Sequence, residues 1–290
     1  MMSDYAHPET LVDTQWLSQH LDDPDVRIIE VDLSPESYEK GHIRGSIFWN
    51  AMIPFNSDLR VNFDLKAIEE LLGNSGISNN TTVVAVHDSY IATSGFTFWL
   101  LKVFGHDDVR ILNGGRQKWT IDGYSLTKEK TVVTPTKYHA QSANKNLRIT
   151  LSELQKSIAN KDCTLLDVRT PQEYSGEIFM MNPPTENERG GHIPGAIDLY
   201  YELAHNEDGT FKSFAELQEI FSQQDITPDK FIIPYCAIGG RSGHTWFILK
   251  YLLGYPNVKN YDGSWNEWSR IDGRKCSGDQ SIFHMGRGIL

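Results

Sequence analysis

The stretch FIIPYCAIGGRSGHTWFILKYLLGYPNVKNYDGSWNEW, residues 231–268, has a second copy in the same chain: VVAVHDSYIATSGFTFWLLKVFGHDDVRILNGGRQKW, residues 83–119. In both, a short apolar run leads into a turn, a helical pattern, a second short run and a closing tryptophan. The likeness continues upstream, where SPESYEKGHIRGSI (34–47) matches TPQEYSGE and GGHIPGAI (within 170–197) in a Pro, a Tyr and the run Gly-His-Ile-x-Gly. A repeat of this kind decides the fold before any single element is assigned, because one domain has been written twice.

Within each copy, short runs rich in β-branched residues alternate with helical periodicity. The first copy predicts a helix over ETLVDTQWLSQHL, a strand over VRIIEVD, a helix over DLKAIEELLGNSG, a strand over TTVVAVH, a helix over FTFWLLKVFG and a strand over VRILN. The second predicts the same order over LSELQKSIA, CTLLDVR, SFAELQEIFSQQ, KFIIPYC, HTWFILKYLLG and VKNYD. Strands that alternate with helices in this way lie parallel and are covered on both faces, the α/β doubly wound arrangement. Residues 127–150 are polar and connect the copies, although TVV within them has the composition of an edge strand. The division expected is 1–126, a linker 127–147, and 148–290. The second copy also carries an insertion, FMMNPPTENERG (179–190), beside its Gly-His-Ile landmark.

With 290 residues, two domains are the natural count at ~100–200 residues per domain. Hydrophobic residues at 39% and charged residues at 22% exclude a disordered chain. A formal net charge of −11 argues against nucleic acid or anionic lipid as a partner, while leaving room for a local anion pocket. The N-terminal residues show no signal-peptide pattern and no apolar run approaches ~20 residues, so a cytoplasmic location away from membranes is expected. Three scattered cysteines, Cys163, Cys236 and Cys276, make neither a disulfide framework nor a metal site.

Aligning the copies sets Cys236 opposite Asp88 and Arg241 opposite Thr93. The two turns have equal length, which predicts one shared backbone path with chemistry in the second copy alone. A thiolate reacts where a thiol does not, and three features of the second turn favour negative charge on sulfur. Gly239 and Gly240 let backbone N–H groups curl inward, the following helix points its positive end at the turn with Ser242 as N-cap, and Arg241 adds a full charge.

These motifs together, Asp-Val-Arg-x-x-x-Glu-Tyr, Gly-His-Ile-x-Gly-Ala, Tyr-Cys-x-x-Gly-x-Arg-Ser and Asp-Gly-Ser-Trp-x-Glu-Trp, resemble the two-domain rhodanese family of sulfurtransferases over nearly the whole chain. The resemblance implies a tandem repeat of two rhodanese-like doubly wound α/β domains, the first inactive and the second catalytic. It implies that Cys236 takes the outer sulfur of thiosulfate as a persulfide, held by the loop Ala237, Ile238, Gly239, Gly240, Arg241 and Ser242. Cyanide, a thiol or a thioredoxin-like protein would accept that sulfur, with no metal and no organic cofactor. Dual-specificity phosphatases of related fold use Cys-x5-Arg, one residue longer than the loop here, and the smaller cradle suits sulfur over phosphate. Thiosulfate-using members resemble Cys-Arg-Lys-Gly and mercaptopyruvate-using members Cys-Gly-Ser-Gly-Val; Ala237-Ile238 matches neither, which leaves 3-mercaptopyruvate as an alternative donor. A persulfide carrier or redox-sensing interaction protein is the alternative of a different class.

Four other positions draw a reading. Arg169, at the end of a predicted strand, is either a donor-binding group or half of a structural pair with Glu173 or another carboxylate. Arg189, in the insertion, is either a donor-binding group or a solvated charge. Trp265, opposite Arg116, either lines the pocket over Cys236 or packs between the domains, whereas Trp268 has a twin in Trp119 and reads as core. His42, His192 and His244 read as structural, the first two because they recur in both copies. Cys163 reads as buried and Cys276 as incidental.

Overall fold

The computed structural model describes residues 4–186 and 188–271, so Cys276 lies outside the described residues. In the first copy β1 (Leu11–Val12), β2 (Val26–Asp32), β3 (Ile47–Asn50), β4 (Thr82–His87) and β5 (Val109–Leu112) form one parallel sheet in the order β1-β5-β4-β2-β3. Around it lie α1 (Thr14–Gln19), α2 (Glu36–Lys40), α3 (Leu65–Asn74), α4 (Ala92–Val103) and α5 (Gly115–Ile121). The predicted first helix is shorter than its apolar pattern. Asp13 caps Trp16 N–H at 2.7 Å and so starts the helix at Thr14, which frees Leu11 and Val12 to pair with Ile111 and Leu112.

The second copy holds α6 (Leu151–Asn160), β6 (Thr164–Asp167), α7 (Pro171–Ser175), β7 (Ile197–Asp198), α8 (Phe214–Ser222), β8 (Ile232–Tyr235), α9 (Gly240–Phe247), a π-helical turn at Ile248–Leu252, and α10 (Ser264–Trp268). Capping boxes start three of its helices: Thr150 with Glu153, Thr170 with Glu173, and Ser213 with Glu216. Its sheet runs β7-β6-β8 and is prolonged by single parallel bridges, Ile232 to Val258 and Arg148 to Asn260, which repeat the first sheet's order. The predicted strand VKNYD is therefore reduced to isolated pairings, hemmed in by Pro256 before it and the turn at Asp262 after it. Nor is TVV a strand: between Thr127 and α6 the chain has no helix or strand, and its bridges are single pairings at its two ends, Thr127 to His42 and Arg148 to Asn260.

The copies meet through α4 and α9. Gly95 and Gly243 hold equivalent positions, and each takes the residue that follows its twin: a Cβ on Gly95 would lie 2.3 Å from His244 Nδ1, and one on Gly243 would lie 3.2 Å from Phe96. Two glycines thus let two helices cross closely, with Phe98 edge-on to Phe247 at 4.7 Å beside them. One apolar core runs through this crossing, from Val31 and Trp99 to Leu166, Trp246 and Cys236, while a separate core covers the outer face of each sheet. No helix among the described residues is long and apolar enough to cross a membrane.

Candidate active site

Strand β8 delivers Cys236 at its C-terminal end, where open α/β sheets bind ligands. The residue is only 1% exposed. Gly239 donates its N–H to Cys236 Sγ at 3.2 Å, and the Ser242 and Ser264 hydroxyls stand 3.6 Å and 4.0 Å from the same sulfur. The backbone of Cys236 is pinned from both sides, its N–H donating to Ser264 Oγ at 3.1 Å and its carbonyl accepting from Trp265 N–H at 2.9 Å. Gly239 makes this possible: its φ is 98°, and a Cβ there would lie 2.7 Å from the Asp262 carbonyl oxygen. Gly240 has no such role, being the first residue of α9 with open space at its Cβ position. Ser242 is likewise not the N-cap, which is Gly239; it sits in the first helical turn with its hydroxyl at the sulfur.

The equal-length turn of the first copy does not follow the same path. Ile91, opposite Gly239, is right-handed with φ −55° and ψ −29°, because a β-branched residue avoids the left-handed region. Both helices start at the equivalent residue, but only the second turn presents an N–H to its third-back side chain.

Arg241 is clamped by Glu173, Nη1 to Oε2 at 2.6 Å and Nη2 to Oε1 at 2.8 Å, with both side chains largely buried. Burial opposes the charge on each. The pair outweighs it, so the Glu173 carboxyl is held below its ordinary value and the Arg241 guanidinium above its own, with Cys236 also favouring the latter's charge. Glu173 caps α7 with the same carboxylate, so a Thr-Pro-x-Glu capping box doubles as the support of the active-site arginine. In the sequence Glu173 is one of the carboxylates that could pair with Arg169; in the fold it serves Arg241.

Arg169 is fully buried and pairs with Asp167 through Nε at 2.9 Å and Nη2 at 2.6 Å, with Nη2 also donating to the Gly191 carbonyl at 2.7 Å. Of its fork, only Nη1 lacks a hydrogen bond. Trp265 stacks over this guanidinium at 4.8 Å within the outer core and donates its indole N–H to the Arg189 carbonyl at 3.1 Å. Arg189 reaches the Ile271 carbonyl at 2.9 Å. The structure therefore brings Gly239 N–H and the Ser242 hydroxyl to Cys236, clamps Arg241 to Glu173, and stacks Trp265 on Arg169.

Groups missed by the sequence arrive from elsewhere. Tyr90, on the first domain's turn, stands in the electrostatic field of Cys236, Arg241 and Glu173; burial, then the sulfur and the carboxylate, push its phenol up. Tyr201 lies beside it, with ring centres 6.4 Å apart, and donates to Glu202 at 2.7 Å. Ser264, in the Asp-Gly-Ser-Trp run, brings its hydroxyl to the Cys236 N–H and sulfur. His42 and His192 make identical stacks, on Tyr38 at 4.0 Å and on Tyr174 at 3.6 Å, as a shared turn requires. His244 faces His205, Nε2 to Nε2 at 2.8 Å; since His205 Nδ1 binds the Gly209 carbonyl, His244 donates, and its own Nδ1 is left bare against Gly95. Burial holds both imidazoles neutral.

A family model described as the rhodanese-like domain matches residues 13–122 and again 150–271. The chain belongs to the rhodanese-like family. It is 44% identical to the sulfur carrier protein TtuD of Thermus thermophilus, covering 93% of this chain and 96% of that protein. Provisionally named thiosulfate sulfurtransferases of Saccharopolyspora erythraea and Haloferax volcanii are each 40% identical, over 92% and 93% of this rhodanese-like chain and 96% of each relative. Among solved structures, EanB with a cysteine persulfide and ergothioneine superposes with a TM-score of 0.84 at 25% identity, over 94% of this chain and 71% of that one.

Proposed function

We propose that this rhodanese-type protein is a sulfurtransferase that moves a sulfane sulfur from thiosulfate to a thiophilic acceptor through a persulfide on Cys236. The observation that carries the reading is the sulfur itself, buried at a strand end with one N–H at 3.2 Å and two hydroxyls within 4.0 Å. The Cys236 thiolate attacks the outer sulfur of thiosulfate; the new S–S bond forms as the old one breaks, and sulfite leaves with the electron pair. Cyanide or a thiolate then attacks the terminal sulfur, and Cys236 departs as thiolate. In both steps the negative charge at sulfur meets fixed dipoles in a dry setting, as an oxyanion hole meets oxygen. Arg241, already balanced by Glu173, orders the loop and leaves a modest positive field for the donor, with Arg169 Nη1 and Arg189 as candidate secondary contacts. Residues 1–126 serve as the non-catalytic domain, 127–147 as the link and 148–290 as the catalytic domain, in the cytoplasm.

Steady-state kinetics with thiosulfate and with 3-mercaptopyruvate, each against cyanide, test the donor. Parallel double-reciprocal lines and a larger kcat/KM for thiosulfate are expected; the reverse preference replaces thiosulfate by 3-mercaptopyruvate. The relative named as a sulfur carrier supports a second reading, in which Cys236 is loaded and unloaded by partner proteins, a thioredoxin-like protein among them. Negligible turnover with small acceptors, together with transfer of labelled sulfur from a protein donor, establishes that reading instead.

A further inference from the structure

The turn before the last helix of each copy needs a left-handed residue, and the copies supply different ones. In Asn-Gly-Gly-Arg it is Gly115, with φ 56°; in Asp-Gly-Ser-Trp it is Ser264, with φ 52°. An L side chain is strained at such a φ, and a glycine takes it without that cost. Gly115 admits nothing larger, since a Cβ there would lie 2.4 Å from the His87 carbonyl oxygen. The second copy keeps a side chain at the strained place, fully buried, and its hydroxyl is engaged at both ends.

The Ser264 oxygen accepts the Cys236 N–H at 3.1 Å, and its one hydrogen goes to the Tyr261 carbonyl at 2.8 Å, because the sulfur at 4.0 Å is both the weaker and the more distant acceptor. Ser242 differs, its buried hydroxyl turning to the sulfur itself at 3.6 Å. The two serines beside Cys236 therefore do different things: Ser242 meets charge at sulfur, and Ser264 holds the peptide that carries the sulfur. Its neighbours complete the grip, Trp265 N–H donating to the Cys236 carbonyl at 2.9 Å and Asn266 N–H to the Ala237 carbonyl at 2.9 Å. In the first copy Gly115 has no hydroxyl to offer, and among the described residues Arg116 N–H does not bond the Asp88 carbonyl, nor Gln117 N–H the Ser89 carbonyl. The grip accompanies the cysteine.

We propose that Ser264 is a positioning residue for sulfur transfer: its strained backbone places a hydroxyl that fixes the Cys236 peptide, and with it the line along which the sulfur attacks the donor. The assignment rests on the reading of Cys236 as the nucleophile. Ser264→Gly and Ser264→Ala in the full chain separate strain from grip, since both lack the hydroxyl and only glycine relieves the strain. In single-turnover uptake of sulfur from thiosulfate, followed by sulfite release, the saturating rate should fall roughly 10- to 100-fold in both variants, as misplacement of a reacting group does. The half-saturating thiosulfate concentration should stay unchanged, and the Cys236 amide should exchange with deuterium faster than in the wild type. Urea denaturation should find Ser264→Gly more stable than Ser264→Ala, the reverse of their order where φ is negative. A saturating rate equal to that of the wild type, a rise in the half-saturating concentration alone, or an alanine variant more stable than the glycine variant overturns the assignment. If the wild type itself takes no sulfur from thiosulfate, the functional reading fails separately, and the variants are compared with iodoacetamide as the electrophile; alkylation of Cys236 at one rate in all three proteins then overturns the role of Ser264.

Discussion

The turns after β4 and β8 have the same length, join equivalent strands to equivalent helices, and differ in handedness at one residue. Ile91 continues the right-handed path, whereas Gly239 at φ 98° turns its N–H to the side chain three residues back. Loop length therefore fixes where the helix begins and leaves open where the N–H groups point. The buried arginines teach a related lesson. Arg116 caps the Gly41 carbonyl at 2.8 Å and Arg169 caps the equivalent Gly191 carbonyl at 2.7 Å, yet they come from opposite ends of their domains, with Trp265 and Leu33 at the aligned positions of the other copy. The fold preserves the guanidinium's job and lets its origin move.

Substitutions that carry one turn toward the other test this comparison. The largest effect belongs to Cys236→Ser, which changes one atom and is expected to abolish turnover in a cyanide assay while leaving thermal unfolding nearly unchanged. Arg241→Ala strands Glu173 without its partner in a buried place and is expected to cost about 3–5 kcal/mol by urea denaturation at neutral pH; it should also slow alkylation of Cys236 by iodoacetamide. Because the Glu173 carboxyl is lowered in the folded protein, the pair's contribution is complete above the ordinary carboxylate range and is lost as pH falls through the lowered value. The variant's deficit should therefore shrink in acid, and a deficit independent of pH would remove Glu173 from the explanation.

Next in size is Gly239→Ala, expected to cost about 1–3 kcal/mol through left-handed strain and to slow persulfide formation. Gly240→Ala next to it meets open space in a helix and should stabilise by about 0.4–1 kcal/mol. Equal effects at the two glycines would refute the handedness argument. The smallest change is His244→Phe, which copies Phe96 into the second helix. His87, His205 and His244 are all held below the ordinary histidine value by burial, so the unfolded chain takes up protons that the folded one refuses. Stability should fall as pH drops below about 6.5, and the slope of Tm against pH should be shallower in His244→Phe.

The repeat and the Cys236 turn were legible because their signals are local: strand, glycine, cation and helix follow one another within a dozen residues. What was not legible crosses the chain. Glu173 meets Arg241 from 68 residues away, Tyr90 arrives from the other domain, and His205 is paired to His244 by the helix crossing. Arg169 left two readings open, and Asp167, two residues earlier on β6, is the carboxylate that holds its Nε and Nη2. Composition could not separate the turns either, because a shared length concealed the difference between isoleucine and glycine.

Intact-mass analysis after incubation with thiosulfate reaches the central claim most directly. The chain should gain the mass of one sulfur, removed by dithiothreitol and mapped to the peptide containing Cys236. No gain, or a gain that persists in Cys236→Ser, contradicts the account.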